Sequence, residues 1–169
     1  MEREKHFRLK EIVIVLMAVM LLACNKQDDP EPSLPPLLAE LLEEMNEVRS
    51  KGHTCGGQWY GPAAPLLWED RLGRAAQLHA EDMAEGNYLS HYSADGRDPG
   101  QRISQQGYNW HTYGENIARG FQSPTAVLQA WLSSEGHCRN IVSPNFTQVG
   151  LGYDPRGHFW VQVFARPAN

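Results

Sequence analysis

The chain lacks the basic block that a nucleic-acid backbone would require. Fifteen Lys and Arg stand against twenty Asp and Glu in 169 residues, a formal net charge of −5, which argues against a polyanion as the main partner. Cysteine is scarce, and three residues are too few for a disulfide-dense miniprotein. No HExxH, CxxC or GxSxG occurs, so the local signatures of zinc peptidases, of paired metal-binding cysteines and of the hydrolase nucleophile elbow are missing. No repeat of solenoid length is visible. The one long apolar run, Ile12 to Ala23, makes about 18 Å of helix, short of the roughly 30 Å hydrocarbon core of a bilayer.

What is present is the composition of one globular domain with a tail: 41% hydrophobic and 21% charged residues. Arg3, Lys5, Arg8 and Lys10 precede the apolar run, and Leu21-Leu22-Ala23-Cys24 ends it. This order reads as a signal peptide. The final tetrapeptide resembles the lipobox of bacterial lipoproteins, which implies removal of residues 1–23 and lipidation of Cys24. An ordinary secretory signal or an uncleaved anchor are the other readings of the same residues. Residues 24–36, rich in Pro and polar groups, form an expected tether to a domain over 37–169. The expected location is the cell envelope, anchored by lipid to a bacterial membrane, or the extracellular space. With Cys24 lipidated, Cys55 and Cys138 remain. In an oxidising compartment an even pair reads as one disulfide, with two buried free thiols as the alternative.

Leu37, Leu38, Leu41, Leu42, Met45 and Val48 recur at helical spacing and predict a helix over about 36–51. The Gly- and Pro-rich stretch from His53 to Pro65 reads as a loop. A second helix starts near Trp68-Glu69-Asp70 and stops at Gly86-Asn87. A short one begins at Pro99 and runs through Ile103, and Ser123-Pro124 caps another. Phe146–Tyr153 and Phe159–Ala165 are β-rich runs around the turn Asp154-Pro155-Arg156-Gly157. Helices followed by an antiparallel hairpin predict an α+β domain, a small sheet with helices on both faces.

Three polar stretches carry the groups capable of chemistry: Ser90-His91-Tyr92, Tyr113 to Ala118, and Ser134 to Ile141. Two His and a Glu can hold a divalent cation such as zinc with water completing the shell, or form a general acid–base set. The spacing alone selects neither. His91 also reads as a helix cap, and Glu115 as a buried acid bonded to loop amides. Asn116 and Asn140 read as structural, and His79, on an apolar helix face, as a satisfied core histidine.

In order, SHYSADGRDPGQRI, YGENIARG, WLSSEGHCRNIVSPNFTQVGLGY and FWVQVFA resemble the CAP superfamily. That group is named for cysteine-rich secretory proteins, antigen 5 and pathogenesis-related 1, and its domains are also called SCP-like. A Cys in a CGG loop and another after a Gly-His pair resemble its bacterial branch. The resemblance covers about residues 37–166. It implies an α-β-α sandwich with a small central antiparallel sheet, and a cleft with two His and two acids. His91, Glu115 and His137 match three of the four. The fourth position is Ser134, with Glu135 beside it, so the set is incomplete unless Glu135 substitutes. The resemblance implies a binding module, monomeric and without nucleic acid, whose cleft takes a divalent metal or a small lipid- or sterol-like ligand. A metal- or acid–base-dependent envelope hydrolase, with His91, Glu115 and His137 as its catalytic candidates, and a structural protein with an empty cleft are the alternatives.

Overall fold

A computed structural model describes residues 34–168. The apolar run, Cys24 and the tether up to residue 33 lie outside the described residues. Helix α1, Pro36–Lys51, begins with Pro at its first position and turns Leu38, Leu41 and Met45 inward. Leu34 packs against the same core, so the folded domain starts slightly before residue 37.

The expected loop at 53–65 contains a hairpin, β1 His53–Cys55 and β2 Gln58–Tyr60. Gly56 and Gly57 turn it with φ of 57° and 87°, backbone that a side chain would strain. Strand β3, Leu67–Trp68, leads into helix α2, Asp70–Gly86. Trp68 therefore precedes the helix, Glu69 caps it, and Asn87 closes it in the left-handed region. His91 is not that cap. Helix α3, Pro99–Gln105, carries a capping box between Asp98 and Gln101. Then follow strand β4 Trp110–Arg119, helix α4 Pro124–Ser133 capped by Ser123, and helix α5 Glu135–Val142. Strands β5, Gln148–Asp154, and β6, Phe159–Pro167, form the C-terminal hairpin.

The main sheet has the order β3-β5-β6-β4. Three strands pair antiparallel, as expected, and the two-residue β3 adds a short parallel pairing with β5 at the edge. Alternation along β6 builds two cores. Trp160 and Phe164 face α1, α4 and α5, whereas Phe159, Val161, Val163 and Ala165 face α2 and α3. A strand buried on both faces needs an uninterrupted apolar run, which FWVQVFA supplies apart from Gln162. The result is an α-β-α sandwich.

On β5, Val149 and Leu151 enter the first core while Gly150 and Gly152 face α2. A Cβ at either glycine would collide with the α2 backbone at Leu72–Gly73 or Ala76–Gln77. The helix therefore lies directly on the sheet, and no side chain could be inserted without lifting it. Two devices fix α5. Cys55 and Cys138 form a disulfide, Cα–Cα 5.6 Å, tying the β1–β2 hairpin to the helix. Buried Arg49 donates to the carbonyls of Ile141 (2.7 Å) and Ser143 (2.9 Å) at its far end, and to that of Ala64.

Candidate functional site

Strand β4 is the outer strand of the sheet, and consecutive side chains on it point to opposite faces. That alternation separates two jobs. Glu115 turns toward α3 and the segment 87–98. Asn116 turns toward α5, where its amide donates to the His137 carbonyl (3.1 Å) and to Gln162 Oε1 (2.8 Å). Asn140 Nδ2 donates to Asn116 Oδ1 (2.8 Å). Asn116 and Gln162 are fully buried, so this network fixes the helix that carries His137 against the edge strand. Both asparagines are structural, as expected.

Glu115 Oε2 lies 2.6 Å from Arg102 Nη2, and Oε1 lies 2.8 Å from His91 Nδ1. The acid and the arginine are almost sealed, with side chains 2% and 5% exposed. The His91 side chain is 48% exposed. Arg102 Nη1 donates to the carbonyls of His91 and Arg97, both at 2.9 Å, and to Ser93 Oγ. Glu115 is thus held by a guanidinium and an imidazole, in place of the loop amides expected as one alternative. An ionised carboxylate only accepts, so Nδ1 of neutral His91 carries the proton and Nε2 keeps its lone pair. Among the described residues Nε2 has no hydrogen-bond partner.

Burial first, and then the neighbouring His91 imidazole, lower the pKa of His137. Ser134 sits at the N-cap of α5 without a side-chain cap bond, and its carbonyl accepts from Cys138 N at 2.8 Å. Glu135 pairs with Arg139 at 3.3 Å along the same helix, and its side chain covers Gly56 beside the disulfide. Among the described residues no hydrogen bond or ion pair joins it to His91, Glu115 or His137.

Sequence reasoning missed Arg102. The only available signal was an inward-phased cation next to Ile103, and no local spacing rule joins residues thirteen apart. His79 also differs from expectation. Its Nε2 bonds the Ser90 carbonyl at 2.8 Å, but its buried Nδ1 has no hydrogen-bond partner, with Asp82 Oδ2 4.0 Å away. Burial, and secondarily the Arg102 charge, push its pKa down. His79 and Arg102 thus hold the consecutive carbonyls of Ser90 and His91, fixing the backbone that presents the His91 ring.

A sandwich of helices on a four-stranded sheet, with two histidines and a buried acid around its edge strand, defines the class. The chain belongs to the cysteine-rich secretory protein (CAP) family, whose model matches residues 42–164. It is 40% identical over 100 residues to the uncharacterized protein YkwD of Bacillus subtilis (strain 168), covering 59% of this chain and 39% of that one. It is 32% identical over 103 residues to the uncharacterized membrane protein YlbC of the same organism, covering 61% and 29%. The chain thus spans well under half the length of either relative. An extracellular protein containing an SCP domain from Bacillus anthracis superposes with a TM-score of 0.67 at 30% identity, over 76% of this chain and 39% of that one. An outer surface protein of Borrelia burgdorferi superposes at 0.64 and 22% identity, over 78% and 92%, a likeness of fold.

Proposed function

We propose that this CAP domain is a binding module of the cell envelope or the extracellular space, and that His91 and His137 together take one divalent cation such as zinc. The observation that carries the reading is the Arg102–Glu115–His91 chain. It turns the lone pair of His91 Nε2 away from the acid, as an outer carboxylate does for a metal-bound histidine. The donor set fits a weak, open site. Among the described residues no group of three or more His, Cys, Asp or Glu is arranged to hold a metal, so two nitrogens would bind and water would complete the shell. The bound ion would supply an electrophilic anchor for a small ligand.

The chain's own residues do the rest. Glu115 fixes the His91 tautomer, Asn116 and the disulfide fix α5, and partial burial lowers the pKa of His137, which favours its neutral form. The hydrolase alternative gains no support from Ser133, whose hydroxyl donates to the Gln129 carbonyl at 2.8 Å. Lipidation at Cys24 is part of the same proposal. It is supported by the tetrapeptide ending in Cys24 and by the 30%-identical neighbour described as extracellular. No described helix is long and apolar enough to cross a membrane.

Calorimetric titration of the purified full chain with zinc tests the cleft. Wild type should bind with modest affinity that weakens below about pH 6, as imidazole protonation competes with the metal. His91→Ala/His137→Ala should bind at least about ten-fold more weakly. Equal binding by both proteins would move the metal site elsewhere.

A further inference from the structure

Residues 87–98, which carry His91, form neither helix nor strand, and only Ser93 among them is buried. Apolar packing therefore does little to hold this segment, and three side chains pin it instead. His79 Nε2 meets the Ser90 carbonyl at 2.8 Å. Arg102 Nη1 donates to the carbonyls of His91 and Arg97. Asp82 Oδ2 accepts from Ala94 N at 3.0 Å and from the Tyr88 hydroxyl. A segment held by a few polar bonds over little buried surface opens locally at low free-energy cost.

His79 is the pin that changes charge near neutral pH. A carbonyl only accepts, so Nε2 carries the proton and Nδ1 holds a lone pair. The side chain is 0% exposed, and Nδ1 has no hydrogen-bond partner. A second proton, on Nδ1, needs an acceptor. Asp82 Oδ2 lies 4.0 Å away and is already shared between Ala94 and Tyr88. Glu115, on β4, is engaged by Arg102 and His91. Arg102, on α3, repels a charged ring, and β6 packs only apolar side chains such as Val161 and Val163 against α2. Either Asp82 turns to Nδ1 and gives up Ala94, or the new charge stays buried and unpaired. Both outcomes loosen the segment.

We propose that His79 is a proton-sensitive latch on residues 87–98: when its ring takes a second proton, the segment detaches from α2 and His91 leaves Glu115. The inference does not rest on metal binding. Burial, and then the Arg102 charge, hold the pKa of the closed ring below its ordinary value. The open ring meets water and returns to about 6.5. The open form therefore binds more protons, and opening is favoured as pH falls through about 6.5 toward the lower, closed value. A proton on His91 acts in the opposite direction, because it strengthens the bond to the Glu115 carboxylate.

Amide hydrogen exchange of the full chain without metal, read at Ser93, Ala94 and Gly96, tests the latch. These amides donate to the Arg97 carbonyl, to Asp82 and to the Ser93 carbonyl. Protection, corrected for intrinsic exchange, should fall about ten-fold between about pH 7.5 and about pH 5.5, the factor set by a group that titrates near 6.5 only when open. Low urea should barely change it, because local opening exposes little surface. His79→Gln keeps a donor for the Ser90 carbonyl and cannot take the proton, so its protection should vary less than about two-fold over the same range. A ten-fold fall in the variant as well would overturn the role of His79. Exchange as sensitive to urea as global unfolding would overturn the local latch. If the variant does not fold, ring-nitrogen NMR of wild type decides: a His79 ring that is charged at about pH 5.5 while protection of the three amides is unchanged would overturn the proposal.

Discussion

Glu115→Gln changes one oxygen to a nitrogen and keeps the volume of the side chain. In the native protein the carboxylate balances the buried Arg102 guanidinium at 2.6 Å and accepts from His91 Nδ1 at 2.8 Å. The amide removes the charge that balances Arg102, which has almost no access to solvent. Leaving one member of a buried pair uncompensated costs about 3–5 kcal/mol. The amide also has a single acceptor. If its oxygen takes the Arg102 bond, its NH₂ faces His91 Nδ1, which must then accept. The imidazole proton moves to Nε2, and the outward lone pair is lost. Zinc affinity should fall about 10–100-fold. Urea unfolding followed through buried Trp131 and Trp160 reads the first effect, and calorimetry in the folded baseline reads the second. Arg102→Met/Glu115→Gln should lose less stability than the sum of the single variants, with a coupling of about 0.5–3 kcal/mol. A Glu115→Gln loss below about 1 kcal/mol together with unchanged zinc affinity would refute the reasoning, because a buried, uncompensated Arg102 cannot be that inexpensive.

The Cys55–Cys138 bridge spans 83 residues, so Cys55→Ser should destabilise the domain by about 4–5 kcal/mol in the chain-entropy model. A melting temperature equal to that of the oxidised wild type would rule out the bridge. Acid should also weaken the fold. His79 and His137 have pKa values lowered by burial, so the unfolded chain binds more protons than the native one. Their stabilisation is present above the unfolded value near 6.5 and is lost as pH falls toward the lower native values. Each pH unit over which the states differ by one proton costs about 1.4 kcal/mol. Urea midpoints measured between about pH 7.5 and 5 should fall in wild type and fall less in His79→Gln. Equal slopes would show that His79 does not titrate differently in the two states.

The amphipathic repeats of α1 and α2, the caps at Ser123 and Asn87 and the β-rich C-terminal hairpin were legible in the sequence, because each rests on neighbours within a few residues. The motif order around His91, Glu115 and His137 also pointed to the family. Strand β4 was not legible, since WHTYGENIAR has a polar, irregular pattern that only pairing with β6 makes a strand. The hairpin at 53–60 was hidden for a similar reason: its glycines read as loop, and α5, through the disulfide, fixes where it packs.

What the sequence determined by itself was which residues prefer to be helical, which must be buried, and which cysteines could pair. Tertiary structure alone decided that neighbouring β4 residues would serve opposite faces, Glu115 holding His91 and Asn116 holding α5. It alone brought Arg102 behind Glu115, and it alone turned Glu135 toward Arg139 and the hairpin. Local sequence sets the dihedral and hydrophobic preferences of a segment. The partner of a buried charge is chosen by whichever distant element closes over it, and low-dielectric burial makes that choice energetically decisive.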